Sequence, residues 1–120
     1  MIIAYICHPV SGRIESNLHE IREIIRNINI NEPNVIPFCP WYADVKSLND
    51  DVTLERNRGM QNNEFLLRKG FIDEIRIYGN RISSGVEAEI KIAVEMGIKI
   101  VNKSTIIKDS EIIKYENKGK

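Results

Sequence analysis

The spacing of apolar residues changes along the chain between two periods, one typical of buried strands and one typical of helices. Short apolar runs bounded by turn residues predict strands at residues 2–7, 34–39, 72–78 and 98–101. Segments in which apolar residues recur every three or four positions predict helices at residues 14–29, 53–69 and 84–96. Thr53 is expected to cap the second helix, and Gly70 and Gly97 are expected to end the second and third.

The predicted strands and helices alternate, which is the order that produces a parallel sheet with helices on both faces. We therefore expect an α/β fold, namely a flavodoxin- or Rossmann-like three-layer domain with a four- to five-stranded parallel sheet. Pro37 within the second strand indicates an edge position. We expect a single domain over residues 1–120, with its core at 2–101. In the tail at 102–120, a fifth strand or a short hairpin is expected before a frayed basic end.

Composition narrows the classes of function. The chain has 17 basic and 17 acidic residues, and this balance argues against a nucleic-acid binder while leaving room for a small anion site. No apolar run is long enough to span a membrane, and the first residues do not resemble a signal peptide. Cys7 and Cys39 have no metal-ligand spacing. We therefore expect two thiols in a reducing, cytoplasmic setting, with no metal and no cofactor.

Three predicted loops are candidates for a binding site, because ligands of parallel α/β sheets bind at the carboxyl ends of the strands. These loops span residues 8–13, 40–51 and 79–85. The last contains Ser83-Ser84-Gly85 before a helix, where hydroxyls, backbone amides and the helix N-terminus suit a phosphate. Helix capping alone would also explain the serine. Arg13 beside Gly12 could supply a matching guanidinium, although an exposed arginine that opens a helix is equally common.

Glu89 interrupts the apolar face of the third predicted helix. In helical projection it falls between Met96 and Ala93, whereas Glu87 lies on a separate charged face. A carboxylate on an apolar face is costly unless it is paired or used. Glu89 is therefore either a structural residue satisfied by a neighbouring hydroxyl or amide, or a catalytic carboxylate facing the cleft. We favour the catalytic interpretation, because the Ser-Ser-Gly loop opens onto the same edge.

Over roughly residues 2–101, the sequence resembles the nucleoside 2-deoxyribosyltransferase superfamily. The resemblance rests on the N-terminal segment Tyr5-Ile6-Cys7-His8-Pro9, on the strand at Asp73, and on the block from Ser83 to Glu89 with Ala93 and Gly97 beyond it. Within that superfamily, the sequence resembles the 2′-deoxynucleoside 5′-phosphate N-hydrolases. Residues 48–51, together with Glu55-Arg56, are similar to an uncharacterised phage and bacterial branch of the group.

The resemblance implies a flavodoxin-like fold and cleavage of an N-glycosidic bond. It implies that Glu89 is the nucleophile that attacks the anomeric carbon, and that Tyr5 contacts its carboxylate. It also implies that Ser83, Gly12 and Arg13 hold a 5′-phosphate. Family members complete their sites across a subunit interface, and the helix faces are rich in apolar residues, so we expect a homo-oligomer.

The sequence departs from that family at the group that protonates the leaving base. The family has an aspartate in the helix before the Asp73 strand, where this chain has Asn62-Asn63-Glu64-Phe65. Glu64 could replace the aspartate after a shift of one residue, or Asp51 could serve from the long loop. Otherwise proton donation is lost, and the protein binds a nucleotide without cleaving it.

Several other candidate residues keep two interpretations each. Trp41 and Tyr42 either stack on a base or cover the sheet edge, and His8 either assists the site or is a satisfied loop residue. Asp51, or its neighbour Asp50, either binds a ribose hydroxyl or caps a helix. Arg56 either pairs with Asp51 on the surface or binds a phosphate.

We thus expect an N-glycosidase or deoxyribosyltransferase that acts on a small nucleotide or nucleoside. The alternative is a protein that sequesters a nucleotide or an ADP-ribose-type signal without turnover. The predicted catalytic residues are Glu89, Tyr5 and Glu64. The predicted substrate-binding residues are His8, Pro9, Gly12, Arg13, Trp41, Asp51, Arg56, Gly79, Ser83, Ser84 and Gly85.

Overall fold

The sheet has four strands, all parallel, in the computed structural model, which describes residues 1–119. The strands are β1 Ile2–Cys7, β2 Val35–Phe38, β3 Glu74–Ile77 and β4 Lys99–Asn102. Their order is β2-β1-β3-β4, and each neighbouring pair is parallel. This confirms the predicted α/β fold and the edge position of the strand that contains Pro37.

Residues 1–119 also form five helices. They are α1 Ile14–Asn31, α2 Trp41–Ser47, α3 Thr53–Arg68, α4 Ser84–Met96 and α5 Asp109–Gly119. Right-handed crossovers place α1 on one face of the sheet and α3 and α4 on the other. The side-chain contacts agree, because Arg76 of β3 binds Glu32 beyond α1, while Glu89 of α4 lies against Tyr5 of β1.

The main core lies between the sheet and the pair α3 and α4. It is built from fully buried strand residues and from the helix residues that cover them, namely Tyr5, Cys7, Ile75, Ile77, Leu67, Ile90 and Ala93. Removing such apolar side chains from water supplies most of the free energy that favours folding. The α1 face of β3 instead carries charge. There the buried Arg76 donates to Glu74 at 2.7 Å and to Glu32 at 2.9 and 3.2 Å, which offsets the cost of burying its guanidinium.

The expectation of a continuous loop at residues 40–51 is wrong for its first half, where Trp41–Ser47 forms α2. Trp41, Asp44, Val45 and Leu48 recur at helical spacing, and all four are buried or half-buried. Pro40 precedes the helix with φ −65°, a value that suits a helix start. A helix this short shows too little periodicity to stand out in the sequence.

The expectation of a fifth strand or hairpin in the tail is also wrong, because Asp109–Gly119 forms α5. The adjacent isoleucines Ile112 and Ile113 suggest a strand in the sequence. In the structure Ile112 is buried and Ile113 is exposed, so only Ile112 faces the core. α5 packs against α4. Lys120, the last residue of the expected basic end, lies outside the described residues.

The predicted helix ends are confirmed for α4 and wrong for the start of α3. Ser83 caps α4, with its Oγ accepting from the backbone N–H of Val86 at 3.3 Å, and Gly97 follows the helix with φ 69°. Thr53 is the first residue of α3, and the preceding Val52 gives no side-chain cap, so neither Thr53 nor Asp51 caps it. Within residues 1–119, no helix is both long and apolar enough to cross a membrane.

Candidate functional site

Glu89 lies in the second turn of α4 and faces the sheet, as the interrupted apolar pattern predicts. The residue is half-buried, and its carboxyl group lies against the Tyr5 hydroxyl and the Cys7 thiol of β1. Burial raises the pKa of Glu89 to about 8, and the approach of the Tyr5 hydroxyl and the Cys7 thiol opposes that rise only in part. The site therefore holds a carboxyl group that is mostly protonated at neutral pH, on a residue that is half-buried as a whole.

Three further groups around Glu89 keep their protons. Burial, and then the charge of Glu89, raise the pKa values of Tyr5 and Cys7 well above their ordinary range. The same two causes raise the pKa of Cys39. Both cysteines are free, but as protonated thiols they are poor nucleophiles. The Tyr5 hydroxyl and the Cys7 thiol are therefore available as hydrogen-bond donors to Glu89. They make its ionised form less costly than it would be in an entirely apolar environment.

The Tyr5 hydroxyl is incompletely satisfied. It reaches the Glu89 carboxyl group, yet it is buried without a hydrogen bond of good geometry to any residue among 1–119. Leaving a buried hydroxyl in this state costs about 1–3 kcal/mol. An unsatisfied group in a native core calls for an explanation, such as backbone strain, a catalytic role, or a water or ion that completes the hydrogen bonds.

The loops at the carboxyl edge of the sheet pack directly on one another. Gly79, after β3, has φ +92°, and a Cβ there would lie 2.7 Å from Cδ of Pro9 in the loop after β1. Pro9 is fully buried. From the segment after β4, Ser104 Oγ donates to the Gly79 carbonyl at 2.6 Å. Pro9 and Gly79 therefore fix the shape of this edge through backbone and ring packing.

Two exposed arginine side chains lie at this edge. Arg81 donates from Nη2 to the Ser11 carbonyl at 2.9 Å and so joins the loops after β3 and β1. Arg81 and Arg13 are exposed, and neither forms an ion pair within the part of the chain that the structure describes. The exposed Ser84 and Gly85 begin α4 here, where the helix dipole adds positive potential. Arg81 is not among the residues predicted from the sequence, although its place two residues before Ser83 is a usable signal.

Glu64, predicted as a proton donor, is not brought to Glu89. It is exposed on α3 and pairs with Arg68 at 3.2 Å, and Arg68 in turn binds Glu95 at 2.8 Å near the far end of α4. Asp51 and Arg56 are also exposed, and no ion pair joins them. These three side chains lie on the surface of the single chain.

The aromatic residues of α2 cover the sheet edge, the second of the two roles open to them. Trp41 is buried, and its Nε1–H donates to the Ile6 carbonyl at 2.9 Å. Tyr42 is half-buried beside Arg22 and Arg26 of α1, in a shallow surface depression.

His8 faces α1, on the opposite side of the sheet from Glu89. Its side chain is almost fully buried, with Nδ1 2.6 Å from the Pro9 carbonyl and Nε2 3.3 Å from the Glu20 carboxylate. Gly12, in the same loop, is exposed with φ +93°. These contacts favour a structural role for His8 over a direct role at the site.

The comparisons with known proteins place the chain among domains without an assigned activity. A family described as a domain of unknown function, DUF7768, matches residues 2–103. No curated protein matches the chain. The matched range contains Glu89, Tyr5 and all three loops, and it ends before α5. Across residues 1–119, no group of three or more His, Cys, Asp or Glu side chains is arranged to hold a metal ion.

Proposed function

We propose that this chain, which belongs to the DUF7768 family, binds a nucleotide or nucleoside at the carboxyl edge of its sheet and cleaves or transfers the N-glycosidic bond. Glu89 is the nucleophile. The observation that carries the proposal is the half-buried Glu89 carboxyl group, set against the Tyr5 hydroxyl and the Cys7 thiol. A carboxyl group with a strongly perturbed pKa, near solvent and beside specific donors, is a good candidate for a catalytic group.

Cleavage of an N-glycosidic bond can use one carboxylate, such as Glu89, as the nucleophile. Ionised Glu89 attacks the anomeric carbon while the C–N bond breaks and its electron pair moves to the base nitrogen. Water then resolves the glycosyl ester in hydrolysis, or a second base resolves it in transfer. Since the pKa of Glu89 is about 8, the ionised fraction grows as pH rises towards that value. We therefore expect the rate of bond cleavage to rise with pH through this range.

The two exposed arginines and the N-terminus of α4 support an anionic substrate. A 5′-phosphate near Ser84 and Gly85 would lie at the N-terminus of α4, with Arg13 and Arg81 exposed nearby. Glu89 is five residues further along the same helix, or about 8 Å. A substrate held by its phosphate at this edge would extend its sugar along the groove towards Glu89.

A second candidate function, sequestration without turnover, is supported by the surroundings of Glu89. Among the described residues, Glu89 is the one carboxylate whose charge raises the pKa values of Tyr5 and Cys7. Glycosidic cleavage usually relies on a second carboxyl group as the acid, and Glu64 is occupied by Arg68 at the surface. A site without that acid would retain a nucleotide or an ADP-ribose-type signal intact.

The proposal is tested by measuring release of free base. Purified protein is incubated near pH 8 with each deoxynucleoside monophosphate, and the free base is followed by chromatography. We expect Glu89→Gln to lower the rate by several orders of magnitude, as is typical of a lost nucleophile. Glu87→Gln is the matched control, because Glu87 is exposed on the same helix. Equal rates for wild type and Glu89→Gln would overturn the role of Glu89.

Calorimetry separates the two candidate functions. Tight binding with the intact nucleotide recovered afterwards would support sequestration, whereas recovery of free base supports catalysis. For either function we place the protein in the cytoplasm, because the free Cys7 and Cys39 thiols suit a reducing compartment.

A further inference from the structure

Asn63 is a half-buried polar residue that the proposed chemistry leaves without a role. Its Oδ1 atom is buried and has no hydrogen-bond partner among residues 1–119. Asn63 lies on the inward stripe of α3, one turn before Leu67, which is fully buried in the core. The amide oxygen therefore lies on the protein-facing side of the helix, and no residue among 1–119 donates a hydrogen bond to it.

The pairing of α3 with α4 places Asn63 level with Glu89. The two helices run in the same direction, and Arg68 binds Glu95 across them at 2.8 Å. Asn63 is five residues before Arg68, and Glu89 is six before Glu95, so the two positions lie about 8 and 9 Å back from this contact. Each is therefore at nearly the same height in the groove between the helices.

The same register appears in the core layer below. Leu67 and Ala93 are both fully buried, and they lie one turn beyond Asn63 and Glu89 respectively. Leu67 and Ala93 form an apolar layer between α3 and α4. Towards the carboxyl edge, the next layer contains the Asn63 amide on α3 and the Glu89 carboxyl group on α4. The Tyr5 hydroxyl, also unsatisfied, belongs to this polar layer through its approach to Glu89.

We propose that Asn63 is a ligand-binding residue that accepts a hydrogen bond from the molecule bound at Glu89. The inference rests on the proposed nucleotide or nucleoside site and adds a specific contact to it. An unpaired amide oxygen requires a donor, which a nucleotide supplies either as a sugar hydroxyl or as an N–H group of its base. An apolar side chain at this position would make the folded protein more stable, because it would leave no polar atom unsatisfied. A ligand that donates to the Asn63 oxygen accounts for the presence of an asparagine here.

The test compares Asn63→Leu with Asn62→Leu. Leucine removes the unpaired acceptor while keeping a similar volume, so we expect Asn63→Leu to melt no lower than wild type. Asn62 is the matched control, because it is half-buried on the same helix and its side chain donates to Asp44. The affinity for each deoxynucleoside monophosphate is measured by calorimetry. We expect Asn63→Leu to weaken it about tenfold or more and Asn62→Leu to leave it within about twofold.

Dideoxynucleotides identify the donor. If the 3′-hydroxyl donates to Asn63, the Asn63→Leu substitution should no longer weaken binding of the 2′,3′-dideoxynucleoside monophosphates. If an N–H group of the base donates, the weakening should persist with those probes. Either result supports the contact. Asn63→Ala serves as a second variant should the leucine variant not fold.

The outcomes also separate this inference from the function on which it rests. Equal nucleotide affinities for wild type, Asn63→Leu and Asn63→Ala would overturn the role of Asn63 alone. Loss of binding in Asn63→Leu with unchanged turnover in Glu89→Gln would support Asn63 and overturn the proposed nucleophile. A wild-type protein that binds none of the nucleotides would overturn both.

Discussion

Glu89 is a residue whose chemistry works against the stability of the fold. Burial raises its pKa to about 8, so the folded chain holds a proton that the unfolded chain releases near the ordinary value of 4.5. Below that lower value both states are protonated, and Glu89 carries no charge penalty. As pH rises towards and through about 8, the folded state must either keep the proton or bury a charge. Stability is therefore lost over this range.

We predict that Glu89→Gln stabilises the protein in a pH-dependent way. Glutamine keeps the shape without the ionisable group, so the gain should be small at pH 5 and on the order of a few kcal/mol above pH 8. Urea unfolding of both proteins across this pH range measures the difference. Glu87→Gln, on the exposed side of α4, should show no such trend. A constant difference between Glu89→Gln and wild type at all pH values would contradict the prediction.

The apolar pattern indicates Glu89 but not the groups around it, and the contact with Tyr5 is expected from the family resemblance alone. The helical projection is sufficient for Glu89, because one charged residue among apolar neighbours is visible in a single element. Tyr5 and Asn63 are different, since their unsatisfied atoms depend on how β1, α3 and α4 meet. The burial of Arg76 within β3 is likewise not predictable from the local sequence, because its partners Glu32 and Glu74 come from separate parts of the chain.

At the scale of the elements, the connection after β3 tolerates substitution poorly at Gly79. Gly79 combines a left-handed backbone with direct packing on Pro9. We predict that Gly79→Ala destabilises the protein by about 2–4 kcal/mol, the sum of backbone strain and overpacking. Urea unfolding of the variant would measure the loss.

Gly12→Ala is the matched comparison for that prediction. Gly12 has nearly the same φ, +93°, but a Cβ there would meet nothing within 4 Å. It should therefore cost about 1–2 kcal/mol, from backbone strain alone. Equal losses for the two alanine variants would show that contact with Pro9 adds nothing.

Element prediction succeeds where a helix is long and its apolar stripe is continuous. The bounds of α4, Ser84–Met96, are those predicted, because a cap, an apolar stripe and a terminal glycine agree. α2 and α5 lack that agreement. α2 has only seven residues, and α5 has one fully buried apolar residue, Ile112, beside an exposed isoleucine. Their helical form depends on packing against α3 and α4, which a local pattern does not contain.

For the whole molecule, the outer face of α3 is the strongest reason to expect self-association. Leu54 is 81% exposed and Phe65 is 63% exposed, which is unusual for side chains of this size. We predict a homo-oligomer at micromolar concentration that Phe65→Glu shifts towards monomer, as measured by light scattering. Ile113→Glu, at an exposed position on α5, should leave the mass unchanged. A wild-type monomer at this concentration would contradict the prediction.

Trp41 gives the protein an optical reporter of its own site. It is the chain's one tryptophan, and its indole N–H is bonded to the Ile6 carbonyl, on the strand that also carries Tyr5 and Cys7. Its fluorescence therefore arises from a single buried ring that is bonded to β1. Emission should be at short wavelength in the folded state and move to longer wavelength on unfolding. A nucleotide that reorders β1 around Glu89 would change the intensity of that emission without any attached dye.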